Sequence, residues 1–172
     1  MSLLLPSLPF FENSFSLKLF FYFTGTIILA GLSLIPTHAS SLIAGMVFGI
    51  IKAPFLALLA VVGASYLSFL VISLVVKEKS YQVLLKKPKA AKIHEELLLK
   101  SGYKAVLFIA LIRLSPVMPF AATNVLLAAS KVKASLFLIG SLIGLAPRVV
   151  IVAIAGAGLS ELDLSKSSNI WL

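Results

Sequence analysis

The stretch RLSPVMPFAATN, residues 113–124, gathers a fixed positive charge, two helix breakers and an amide: Arg113, Pro116, Pro119 and Asn124. An arginine offers a planar fork of N–H donors that matches a phosphate or carboxylate in two parallel hydrogen bonds. Prolines that interrupt a helix free backbone N–H groups at the start of the next one, which adds a second positive pole for an anion. Arg148, which follows Pro147, is the other arginine placed to join such a site, with Asn124 as an orienting amide. The alternative for Arg113 is a position near an interface, from which a long side chain snorkels to water.

Covalent chemistry finds no such constellation. The six acids, Glu12, Glu78, Glu95, Glu96, Glu161 and Asp163, all lie outside the apolar runs. There is no cysteine, so thiolate metal sites, disulfides and thiol nucleophiles are excluded. His38 and His94 are isolated, and no metal set is expected. No nucleophile, base and orienting group assemble at one depth, so the chain does not read as an enzyme, and no cofactor is expected.

The elements that must hold these residues are apolar. The 172 residues are 60% hydrophobic and 12% charged. Residues 19–51 and 53–76 carry no Asp, Glu, Lys or Arg. A bilayer core about 30 Å thick is crossed by roughly 20 such residues in a helix. The chain reads as an all-α integral membrane protein. A cleavable signal peptide fits poorly, because residues 1–17 lack the positive n-region.

Residues 14–35 are expected to form a first spanning helix ended by Pro36, after an N-terminal tail over 1–13. The run 19–51 would be about 50 Å long as one helix, too long for one crossing. It should break near Pro36, leaving THASSLIAGMVFGI as a half-helix before Lys52-Ala53-Pro54, with Thr37, Ser40 or Ser41 available as caps. Residues 55–76 form a second long apolar helix, in which Gly63, Ser65 and Ser68 let helices approach closely. Residues 77–104 hold eight Lys and three Glu, a balance of +5 within a total of +9. This segment reads as cytoplasmic. It includes an interfacial helix, IHEELLLKSG, C-capped by Gly102. A nucleic-acid partner is not expected, because the segment sits between membrane segments and carries no recognition motif.

The second half is choppier, and no uninterrupted piece between 103 and 146 is long enough to span comfortably. Residues 161–172 end in Ile170, Trp171 and Leu172, which read as the start of a further helix. The halves echo each other at an offset of 81 residues. Lys52-Ala53 precedes an apolar run and Gly63, as Lys133-Ala134 precedes one and Gly144. Short, Pro- or Gly-interrupted segments at matching positions in two halves point to a transporter site.

RLSPVMPFAATN followed by LIGLAP resembles the second hairpin of the DedA superfamily, the VTT-domain family also called SNARE-associated Golgi proteins. PTHASSLIAGMVFG, with Pro36, Gly45, Phe48 and Gly49, resembles its first hairpin. The resemblance spans roughly residues 30–158. It implies a membrane domain over 14–160, with spanning helices around two facing re-entrant hairpins at about 36–62 and 113–145. Pro36, Gly45, Phe48, Gly49, Pro116, Pro119, Gly144 and Pro147 would shape their breaks.

Characterised relatives move lipids between leaflets as scramblases or as carriers of phosphatidylethanolamine or undecaprenyl phosphate. The resemblance therefore implies a lipid translocase in a bacterial-type plasma membrane. Its partners would be membrane lipids with an anionic headgroup, bound at Arg113, Arg148 and Asn124. A homo-oligomer is compatible with this reading. An ion- or proton-coupled solute transporter and a scaffold acting through 77–104 are the alternatives.

The sequence departs from the family pattern in three places. Ser73 or its neighbours stand where many relatives have Arg, Ala128 where the second hairpin usually has Gly, and Arg148 where a small residue follows the Pro. Residues 13–77 also hold no Asp or Glu, which leaves His38 as the candidate for proton coupling.

Overall fold

A computed structural model describes residues 14–75, 102–115 and 119–161, with Glu161 by its backbone alone. The described residues form helices and short turns only: α1 (Phe15–Gly31), α2 (Thr37–Val75), α3 (Tyr103–Leu114), α4 (Phe120–Ala129) and α5 (Ala134–Glu161). The N-terminal tail, the basic segment up to residue 101, Pro116 and residues 162–172 lie outside the described residues.

The first helix is shorter than its apolar run. Ser14 caps α1 by accepting from the Leu17 N–H, and the helix closes at Gly31 rather than running to Pro36. Tight backbone bonds follow, from the N–H of Ser33 to Ala30 and of Leu34 to Leu29, with Ser33 at φ 61°. Pro36 therefore precedes α2 instead of ending α1. Ser40 and Ser41 do not cap α2; their hydroxyls donate back to the Thr37 carbonyl at 3.0 and 2.9 Å.

α2 is two helices joined at Gly49, whose φ of 74° and ψ of 175° are not helical. A side chain there would be strained, which is why glycine stands at this point. The sequence placed this break at Lys52-Ala53-Pro54, but Pro54 lies within the second half of α2. Gly45 and Phe48 are helical, so of the first-motif residues only Gly49 makes the break. The kink places Phe48 and Lys52, on either side of it, at the start of α1. The Phe15 and Phe48 rings are 5.9 Å apart, and Lys52 Nζ lies 4.8 Å from the Phe15 centroid. Further along, Gly31 packs against the Ala64 carbonyl and the Leu67 side chain, so α1 runs alongside the second half of α2.

α5 also corrects the sequence reading. Gly144 and Pro147 stand inside one helix of 28 residues rather than at a hairpin break. Pro147 costs that helix one hydrogen bond, to the carbonyl of Ile143. Gly102 occupies the N-cap position of α3 with φ 73°, while the helix it was expected to close lies outside the described residues.

The long helices pack antiparallel in steps of four. Phe69 packs against Phe137 with the rings tilted by 32°, Ser65 and Ser141 share one partner, and Ala57 and Val61 cluster with Leu145 and Val149. The first half of α2 crosses α5 where a Cβ on Gly45 would meet the Ala153 carbonyl and one on Gly156 would meet the Leu42 carbonyl. α3 lies along α5 by the same device. A Cβ on Gly140 would touch Ile109 at 2.7 Å, and one on Gly144 would touch Ala110 O at 2.5 Å.

α2, taken over Thr37–Val75, and α5, over Ala134–Ser160, are both long and apolar enough to cross a membrane, with mean hydropathies of 2.4 and 2.3 over their best windows. Only 39% of each window is buried, unlike the core helix of a soluble protein. The outward residues are large and apolar, among them Ile51, Phe55, Leu74 and Ile151, each at least two-thirds exposed. Such a surface suits lipid contact and would be a liability in water.

Candidate functional site

Arg113 occupies the last turn of α3, and its side chain is drawn inward. It is 4% exposed. Its Nη2 donates to Asn124 Oδ1 and to Ser65 Oγ, both at 2.7 Å, and its Nε donates to Ser141 Oγ at 3.2 Å. Ser65 Oγ donates in turn to Asn124 Oδ1 at 3.0 Å. One guanidinium thus ties α3 to α2, α4 and α5. Two aromatic rings enclose it, with the guanidinium carbon 5.0 Å from the Phe137 centroid and 5.5 Å from that of Phe120.

Among the described residues, Arg113 Nη1 and Asn124 Nδ2 are buried donors without a hydrogen-bond partner. Leaving such groups unmade costs about 1–3 kcal/mol each, more for a charged group, so they are expected to meet an acceptor at some stage. No carboxylate from the surrounding helices can fill that role, because residues 97–160 and 13–77 contain no Asp or Glu.

Arg148 is elsewhere. It is half-buried on α5 and lines an open cleft of about 450 Å³ with Ser33–His38 and Pro119–Ala121. The N-termini of α2 and α4 converge on this cleft. α4 begins without a side-chain cap, since Pro119 holds the N-cap position. His38 faces the same cleft, and the Arg148 charge acts on both His38 and Arg113. Phe120 belongs to both places, lining the cleft and covering Arg113. Among the described residues no group of His, Cys, Asp and Glu is arranged to hold a metal.

The site residues expected from sequence therefore fall into two neighbouring groups. Arg113 and Asn124 are bonded to each other, while Arg148 and His38 share the cleft beyond Phe120. Pro36 and Pro119 line that cleft, Gly144 makes room for Arg113 Cβ, and Pro147 adjoins Arg148 within α5. Ser65 had only a packing role in the sequence reading, and Ser141, Phe120 and Phe137 had none. Their signal was a hydroxyl or a ring on an otherwise aliphatic helix face, which apolar composition hides.

The VTT domain profile matches residues 35–158, spanning both of these groups. This chain belongs to the VTT-domain family. The VTT domain is that of the DedA and SNARE-associated Golgi proteins, a membrane family of transporter type rather than of enzymes. The VTT match begins at Ile35, just before the reversal into α2, and ends at Gly158 near the end of α5. No curated protein and no solved structure matches the chain significantly.

Proposed function

We propose that this VTT-domain protein moves a phosphate-bearing lipid, a phospholipid or a polyprenyl phosphate, between the leaflets of a bacterial-type plasma membrane without covalent chemistry. In this reading it crosses the membrane several times, and the first half of α2 and α4 enter as re-entrant half-helices.

The observation that carries the reading is the Arg148 cleft. A half-buried guanidinium and two helix N-termini face one opening, and residues 13–77 and 97–160 around it contain no Asp or Glu. All of these favour an anion, and none supplies one. A volume of about 450 Å³ suits a headgroup, within the usual 300–1,000 Å³ of small-molecule sites. The exposed apolar helix faces leave room for acyl chains beside the opening.

The test is a dithionite quench of tail-labelled fluorescent lipids in proteoliposomes. Wild-type protein is expected to expose inner-leaflet label that empty vesicles retain. Arg148→Ala should slow this roughly tenfold, the effect of losing one charge-assisted hydrogen bond. Retention of the label with both a phospholipid and a polyprenyl phosphate would sink the reading.

A further inference from the structure

Arg113 is separated from two clefts by aromatic rings. On one side, Phe120 stands between it and the Arg148 cleft. On the other, the Phe137 ring covers it and is itself packed on Phe69, with centroids 4.3 Å apart. Phe69 lines a second cleft of about 330 Å³, bounded by Ser73 of α2 and by Ala129, Lys131 and Ala134 around the α4–α5 turn. Along α4 the order is Phe120 at the first cleft, Asn124 beside Arg113, then Ala128 and Ala129 at the second. The clefts are thus separated by about 12–14 Å of helix, at 1.5 Å per residue.

We propose that Arg113 is an occluded anion station between these clefts, closed by two aromatic gates: Phe120 on one side and the Phe69–Phe137 pair on the other. The inference deepens the lipid-transfer reading and rests on it for the identity of the anion, a phosphate-bearing headgroup. The station already carries unused donors. Arg113 Nη1 and Asn124 Nδ2 are buried without partners, while the remaining donors of the cluster hold Arg113 in place. The rings stabilise the empty station by cation–π contact, and a phosphate oxygen at Nη1 would compete with that contact. Swinging either ring exposes the guanidinium to one cleft only, so an anion can pass without opening a continuous pore.

The chain has no cysteine, so a single thiol next to Arg113 can report access. Ser141→Cys in proteoliposomes is treated with an anionic and a cationic methanethiosulfonate reagent. The anionic reagent should react faster, and adding Arg113→Gln should abolish the preference. Adding Phe120→Ala or Phe69→Ala should each raise the anionic rate roughly tenfold, the factor that losing one buried cation–π or ring contact supports.

Equal rates for both reagents, or gate variants that leave the rate unchanged, would overturn the station. If Ser141→Cys fails to fold, lipid transfer by Phe120→Leu and Phe69→Leu in the cysteine-free chain replaces it. Several-fold faster transfer is expected of both variants, and transfer at the wild-type rate by both overturns the proposal. Thiol results as expected in a protein that moves no lipid would overturn the lipid reading alone. Lipid transfer with indifferent thiol rates would overturn the station alone.

Discussion

Arg113 donates to Asn124 across the break between α3 and α4, Nη2 to Oδ1 at 2.7 Å, although the two stand eleven positions apart with two prolines between them. This one bond orients the amide so that its Oδ1 also accepts from Ser65 and its Nδ2 remains free. The cluster is therefore both a structural tie and a set of unused donors.

Removing the tie should be costly. Arg113→Ala leaves the buried Ser141 hydroxyl without its partner and the Ser65–Asn124 pair without its charged donor, and hydrogen bonds to a charged group contribute about 1.5–3 kcal/mol each. We expect a loss of about 2–4 kcal/mol, read as a lower thermal midpoint in detergent. Arg113→Lys should recover only part of it, because a single ammonium cannot reproduce the planar fork that reaches α2, α4 and α5 together. Full recovery by Lys would mean that charge alone matters at this position.

Arg148 should behave in the opposite way. It makes no hydrogen bond or ion pair with another described residue and opens on a cleft. Arg148→Ala should therefore leave the midpoint within the change of about 0.5 kcal/mol typical of surface sites, while lipid transfer falls. A midpoint loss matching that of Arg113→Ala would assign Arg148 a structural role instead.

Gly49 and Gly158 form a matched pair for a third test. Neither has a neighbour within 4 Å of an added Cβ, but only Gly49 has a positive φ, at 74°. Gly49→Ala should cost about 1–3 kcal/mol through backbone strain alone. Gly158→Ala, in an ordinary helical position, should be neutral or stabilise by up to about 1 kcal/mol. Equal midpoints for the two variants would remove the backbone argument for the α2 kink.

Much of this was legible in the sequence, for identifiable reasons. Charge-free runs marked the helices, and Pro36 and Pro119 marked where the short segments begin. Arg113 and Asn124 shared a motif and were read as parts of one site, but with Arg148 rather than as each other's hydrogen-bond partner. The position of the α2 break could not, because Pro54 is a stronger helix-breaking signal than Gly49. Yet Pro54 costs its helix only the bond to the Ile50 carbonyl, whereas Gly49 supplies a backbone conformation open to few other residues. Pro147 misled in the same way inside α5. Ser65 and Ser141 were obscure because each comes from a different part of the chain, and only the antiparallel pairing of the long helices brings them to one guanidinium.

Gly45 and Gly156 leave no layer of side chains between the first half of α2 and α5. Where side chains interdigitate, rotamer changes can absorb a small displacement; where backbone lies on backbone, there is nothing to yield. Gly45→Ala or Gly156→Ala would accordingly force the helices apart, at about 1–3 kcal/mol of overpacking. In the native chain the same seam makes these two helices a rigid frame. In the proposed station, the motion that admits a ligand to Arg113 would then fall to the ten residues of α4 and to the rings of Phe120, Phe69 and Phe137. The backbones of α2 and α5 would then be the fixed stator of the proposed station, with α4 and the three rings as its moving parts.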